Sequence, residues 1–283
     1  MTRQEETTVA QTPALTISEP DQDGILLVTI SRPDKLNALR EVDHDRLATI
    51  WSEFDDRDDV RVIVVTGEGS AFSAGGDLAF VQGLTTDDRT RANAWWAARG
   101  IVRGLLDCRK PVVSALEGVA VGAGNAVALM ADICVAAEDA KIIDGHLAFG
   151  ASPGDHAAFL WPLAMGIQRA RGKLLLGEAL TGAEAAELGL VYEAVPGGKT
   201  LDRAMELAAK IARFDPFAVQ ATKVSVNGIL RQHWQTFEAS LALEFMCFVN
   251  ESTRAALAAA APARPSAGDP KLPKNGNRGH EQF

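Results

Sequence analysis

Short runs of β-branched and apolar residues alternate with longer stretches in which apolar positions recur every three or four residues. The runs Ile25–Ile30, 60–66, Val112–Leu116 and 133–136 predict strands. After the first of them, Leu47, Ile50, Trp51 and Phe54 mark one face of an amphipathic helix. A second helix is predicted over 87–106, with Ala94, Ala98, Ile101, Val102 and Leu105 turned inward. Thr181 and Glu184 match a capping box at the start of a further helix, which Gly189 ends before 191–195 returns as a strand. From Leu201 onward only helical periodicity remains, including one long stretch over 234–260. The pattern predicts an α/β core over 15–200 and a helical C-terminal region over 201–260. The polar start, 1–14, and the Pro-, Gly- and Asn-rich tail, 261–283, are expected to lack fixed structure.

A chain of 283 residues that is 47% hydrophobic can bury a large core without covalent staples. Its net charge of -9 argues against a nucleic-acid partner, which demands a basic footprint. Cys108, Cys134 and Cys247 are too few and too widely spaced for a disulfide framework or a zinc site, and are expected as reduced thiols. No spacing of His, Cys or carboxylates resembles a metal-ligand set. The N-terminus lacks the apolar stretch of a secretory signal. The most apolar region, 111–137, is broken by Glu117, Asn125, Asp132 and glycines, so no membrane span and a cytoplasmic location are expected.

The candidate chemistry lies in a strand-turn-helix arrangement that occurs twice. The run 60–66 leads into Ser73-Ala74-Gly75-Gly76-Asp77-Leu78, and Val112–Leu116 leads into Gly118-Val119-Ala120-Val121-Gly122-Ala123-Gly124-Asn125. Glycine lets a substrate approach the main chain, and the first amides of a helix have no internal partner. One amide from each turn, converging on a carbonyl oxygen, would form an oxyanion hole. Other glycine motifs do not fit. The third glycine of a dinucleotide fingerprint is missing after Gly124, Leu174 stands where a phosphate loop needs Ser or Thr, and Ala71 replaces the first glycine of a hydrolase elbow.

These residues resemble the crotonase (enoyl-CoA hydratase/isomerase) superfamily over roughly 24–250. Arg32-Pro33-Asp34-Lys35-Leu36-Asn37-Ala38-Leu39 matches its early loop, and the two glycine turns match its oxyanion turns. The similarity continues through Ala131-Asp132-Ile133, Leu180-Thr181-Gly182 and Ala221-Thr222-Lys223. The resemblance implies a spiral of ββα units, a helical trimerisation region, and homotrimers or dimers of trimers. It implies that Gly76 and Ala123 supply the oxyanion amides and that Lys35, Ala38, Ala74, Asp77, Leu78 and Gly122 border an acyl-CoA thioester. CoA is then part of the substrate, and no separate cofactor is implied.

The departures from the family matter as much. The two positions at which the family's hydratases carry glutamates hold Ala126 and His146, so their two-carboxylate addition of water cannot operate unchanged. The segment from Asp144 to His156, followed by Trp161-Pro162, is similar to the 6-oxocamphor hydrolase branch, whose members cleave a carbon-carbon bond of a β-diketone. A further histidine of that branch has no counterpart between Gly118 and Met130. His146 is the candidate acid/base group, with either Asp155 or Asp144 as its partner. His156 is open to core or solvent, His44 and His233 read as packing residues, and Trp95 and Trp96 as packing or an acyl-pocket wall. Three functions follow as expectations: an acyl-CoA enzyme stabilising a thioester enolate, a β-diketone or β-ketoacyl-CoA hydrolase using His146 and Asp155, and a catalytically idle binding scaffold.

Overall fold

The computed structural model describes residues 12–260. The first part of the chain carries β1 (Leu15–Ile17), β2 (Ile25–Ile30), α1 (Glu41–Asp55), β3 (Val62–Gly67), α2 (Leu78–Thr86) and α3 (Asp88–Asp107). Then come β4 (Val112–Leu116), β5 (Val119–Val121), α4 (Ala123–Met130), β6 (Ile133–Ala137) and β7 (Lys141–Ile143). After a short 3-10 turn at His146–Phe149 follow α5 (Ala157–Met165), α6 (Ile167–Leu176), β8 (Leu180–Thr181), α7 (Gly182–Glu187) and β9 (Glu193–Val195). The rest is helical: α8 (Thr200–Ala212), α9 (Pro216–Gln232), α10 (Trp234–Cys247) and α11 (Glu251–Ala259).

The β-branched runs become neighbouring parallel strands because they carry apolar side chains on both faces, as a doubly covered sheet requires. The main sheet runs β1-β2-β3-β4-β6-β9, parallel except for β1. Along β3, Ile63 and Val65 point into a core shared with Trp51 of α1 and Ile101 of α3, while Val62 and Val64 face Ala204 and Ala208 of α8. A second, small sheet, β5-β7-β8, lies beyond the ends of β4 and β6, so each strand-turn-strand unit contributes to both layers.

Several local signals take the form the sequence predicts. The Thr181 hydroxyl accepts from the Glu184 amide, and the Glu184 carboxylate accepts from the Thr181 amide, closing the capping box. The capping carboxylate of Asp87 accepts from Thr90 at the start of α3. Ala98 is half-buried yet packs against the core as expected, and Ala97 is buried as well. One expectation of helix extent is corrected. The long helical stretch over 234–260 is two helices, broken where Asn250 adopts extended backbone, and no glycine or proline marks the break. Phe248, at the junction, packs against Phe149 and Phe245, which turns the chain back over the molecule.

Lys223 of α9 anchors the helical region, its ammonium reaching the Asp132 carboxylate at 2.7 Å and the Lys110 carbonyl at 2.9 Å. At the other end, the Ala14 amide donates to Asp43 and its carbonyl accepts from Ser31. Of the stretches expected to lack fixed structure, 1–14 and 261–283, residues 1–11 and 261–283 fall outside the described residues, while Thr12 and Ala14 are held by hydrogen bonds to Arg40, Asp43 and Ser31, against the expectation. Among the described residues no helix is long and apolar enough to cross a membrane.

Candidate active site

A cavity of about 350 Å³ opens between the two glycine turns, the His146 turn and the C-terminal helices. Gly76, Gly122 and Ala123 form one side, His146, Asp155 and Glu244 another, and Phe80, Phe149, Phe245 and Phe248 supply much of the remainder. No lysine or arginine is among the described residues that line it.

The glycine wall is built from backbone. Ser73 and Ala120 form a bridge in which the Ser73 amide donates to Val119 and the Val121 amide donates to Ser73, stitching the turns together. The contact is so close that a Cβ at Gly124 would sit 2.7 Å from that of Ser73. Gly75, with φ +83°, would bring a Cβ within 2.9 Å of the Val121 carbonyl. The bonds flanking Gly76 run from the Leu39 amide to Gly75 and from the Asp77 amide to Leu39, so the Gly76 N–H is turned away from that partner. Ala123 is the first residue of α4, where helix amides lack an internal acceptor.

The early loop supports this wall from behind. The buried Asn37 side chain donates to the Glu68 and Ala71 carbonyls and accepts from the Arg32 amide. Ser73 donates its hydroxyl to the Asn37 carbonyl, and the Ala74 amide donates to Leu36. Of the residues expected to border a substrate, Ala74, Leu78 and Gly122 line the cavity and Lys35, Ala38 and Asp77 do not. Asp77 instead caps α2 through the Ala79 amide and pairs with Arg32 at 2.9 Å.

The opposite wall is built from side chains. His146 Nδ1 lies 3.1 Å from Asp144 Oδ1, and its Nε2 lies 3.3 Å from Glu244 Oε1 and 4.0 Å from Asp155 Oδ2. Both carboxylates offered by the sequence therefore address His146, Asp144 by a hydrogen bond and Asp155 across a gap. Glu244, on α10, is the residue that sequence reasoning missed. Burial opposes a charged imidazole, but Glu244 and Asp155, with the hydrogen bond to Asp144, hold the His146 pKa well above the ordinary 6.5. Burial raises Glu244 above the usual carboxylate range despite the attraction of His146, and Asp155 and Asp144 add to the rise. Asp155 goes the other way: burial is outweighed by His156 and His146, and its pKa falls to about 2.

Asp144, His146 and Asp155 offer ligand atoms within 4.8 Å of one another, close enough in principle for a cation. The two aspartates face opposite nitrogens of the ring, however, which suits a proton-sharing chain better than a common metal.

Four further residues differ from expectation or resolve it. His44 lines the cavity against Phe80, with ring centroids 4.8 Å apart. Its Nδ1 donates to the Arg40 carbonyl, so Nε2 is left as an acceptor, and burial lowers its pKa. Ala126 is buried and outside the lining, so the first of the two hydratase glutamate positions contributes no polar group to the cavity. Neither Trp95 nor Trp96 lines it; they pack edge to face, and Trp96 is 63% exposed.

The family model described as enoyl-CoA hydratase/isomerase matches residues 20–258. Among curated relatives, a 1,2-epoxyphenylacetyl-CoA isomerase of Escherichia coli (strain K12) is 31% identical over 210 residues, 73% of this chain and 79% of its own length. An enoyl-CoA hydratase/isomerase structure from Mycobacterium paratuberculosis superposes with a TM-score of 0.83 at 31% identity, covering 89% of this chain and all of that one (100%). A beta-diketone hydrolase from the cyanobacterium Anabaena sp. PCC 7120, bound to (S)-3-oxocyclohexyl acetic acid, gives a TM-score of 0.77 at 30% identity, covering 83% of this chain and 94% of that one.

Proposed function

The chain belongs to the enoyl-CoA hydratase/isomerase family of crotonase-fold enzymes, and from that premise we propose that it holds the enolate of a carbonyl substrate on the Gly76 and Ala123 amides while cleaving a carbon-carbon bond of a compact β-dicarbonyl compound with water. The observation that carries this reading is Glu244, buried against His146 with Oε2 unpartnered, in a cavity where Ala126 has removed one carboxylate position.

In the proposed reaction Glu244 takes a proton from water as its oxygen bonds to one carbonyl carbon of the substrate. The adduct collapses and the bond to the central carbon breaks. Its electron pair passes to the second carbonyl as an enolate, whose oxygen accepts from the Gly76 and Ala123 N–H groups. His146, charged at rest between its carboxylates, gives its proton to the enolate carbon, and Glu244 then passes the proton it took from water to His146, restoring the imidazolium. One water is consumed, and a carboxylic acid and a ketone leave. The similarity of the His146 segment to the 6-oxocamphor hydrolase branch supports this chemistry, as does the beta-diketone hydrolase among the structural relatives.

A second reading, hydration or isomerisation of an enoyl-CoA, is supported by the relatives named for such reactions. It would use the same amides, with the acyl group in the cavity and CoA outside. Trimer formation, also implied by the family, is supported by exposed Phe217, Val226 and Ile229 on α9. The deciding experiment incubates the enzyme with enoyl-CoA thioesters, cyclic β-diketones and cyclic β-ketoacyl-CoA thioesters and follows products by mass. Gain of water with carbon-carbon cleavage, abolished in His146→Ala, is the expected result. Simple hydration that survives in that variant would overturn the reading.

A further inference from the structure

His156 is fully buried, next in sequence to a carboxylate that the proposed reaction uses electrostatically and yet outside the residues that line the cavity. Its Nδ1 lies 2.7 Å from Asp155 Oδ1. A carboxylate only accepts, so Nδ1 is the donor. Nε2 finds no partner, and the ring lies near Trp161 with centroids 6.3 Å apart and an interplanar angle of 71°. The other oxygen, Oδ2, faces the site: it is 4.0 Å from His146 Nε2, and a Cβ on Gly122 would stand 3.7 Å from it.

A carboxylate free to turn beside a buried imidazolium would close to the 2.7–2.9 Å of a charge-assisted hydrogen bond. Asp155 does not, and the bond on its other oxygen supplies the reason. Resting on the acid/base reading of His146 given above, we propose that His156 is a positioning residue that clamps Asp155 by Oδ1 and holds Oδ2 off His146. Asp155 then contributes negative charge to the site without capturing the proton that His146 must deliver. Nε2 stays directed at Glu244, 3.3 Å away, and at the substrate. The groups facing His146 are Asp144 from its own turn, Asp155 from the following loop and Glu244 from α10, so a change at His156 reaches His146 through Asp155 alone.

The test needs no substrate for its first readout. In protein labelled with ¹⁵N-histidine, the His146 titration is followed in wild type, His156→Leu and His156→Asn, the last placing an amide N–H where Nδ1 stood. Removing the donor in His156→Leu frees Asp155 to close on His146, and the midpoint moves to higher pH. His156→Asn leaves it in place. In turnover, His156→Leu lowers kcat about thirtyfold with KM within about threefold, while His156→Asn stays within about threefold of wild type. In an Asp155→Asn background His156→Leu adds no further loss, because the residue acts only through the carboxylate.

If His156→Leu does not fold, His156→Gln, whose amide reaches the Nε2 position instead, takes its place and is expected to shift the midpoint as the leucine does. A folded variant without the Nδ1 donor that titrates and turns over like wild type overturns the proposal. A shifted midpoint with no carbon-carbon cleavage in any protein leaves the clamp standing and defeats the functional reading instead.

Discussion

The two walls of the cavity are made in different ways. One is main chain: Gly76 and Ala123 sit in turns stitched by the Ser73–Ala120 bridge and buttressed by Asn37, and no side chain of that wall is ionisable where it meets the cavity. The other is a set of side chains, Asp144, His146, Asp155 and Glu244, drawn from a turn, a loop and a C-terminal helix. On the proposed reading, the first wall holds the oxyanion of a carbonyl compound whatever its remaining substituents. The second decides which reaction follows, so family membership is carried by backbone and reaction identity by side chains.

The sharpest way to break that division is to remove the side-chain wall and leave the backbone alone. His146→Ala is expected to lower kcat by about a thousandfold or more, with thermal stability and substrate binding largely kept. A loss under tenfold in steady-state kinetics would mean that the backbone wall does most of the work. Next, Gly124→Ala drives a methyl group against Ser73 and spreads the two turns. It should cost roughly 1–3 kcal/mol in denaturant unfolding and about a hundredfold in kcat, although it touches no ionisable group.

Glu244→Gln sharpens the comparison through pH. His146 is raised by its acidic neighbours, so its charged form, the proton donor, is present below the raised value and lost as pH climbs through it. Activity therefore falls along an alkaline limb. Removing the Glu244 charge moves that limb to lower pH in a kcat profile, with kcat down about a hundredfold. The smallest effect is expected at Lys35, outside the cavity: Lys35→Ala changes kcat/KM for a free β-diketone by less than about threefold. A large loss confined to CoA thioesters would favour the second reading.

The legibility of these walls in the sequence follows the same division. Strands such as Ile25–Ile30 and Val112–Leu116 and the Thr181/Glu184 cap are local patterns, and local patterns survive reading without a structure. The glycine turns are legible for the same reason, since close approach of backbone leaves small residues in a row. Lys35, Ala38 and Asp77 illustrate the opposite: their motif is local, but its geometry braces a turn, as Arg32 on Asp77 and Asn37 on Ala71 do. Glu244 is invisible in the sequence because no motif surrounds it; it reads as one of several polar positions, with Gln235, Thr236, Glu238 and Ser240, on a helix that is otherwise apolar. Only the return of α10 over the His146 turn gives it a partner. His44 hid likewise on an amphipathic helix, where burial and packing are the ordinary explanation.

The absence of lysine and arginine from the described lining of the cavity has a consequence for the end of a turnover. Cleavage as proposed leaves a carboxylic acid beside Asp155 and Glu244, with no lysine or arginine among the described lining residues to receive it and with His146 already held between its own carboxylates. Once that acid ionises, a new anion faces a wall already negative, and like charges in a poorly solvated space repel strongly. The neutral substrate meets no such force on its way in. The same arrangement that tunes His146 thus makes the site a one-way valve, receptive to an uncharged reactant and inhospitable to the charged fragment it becomes.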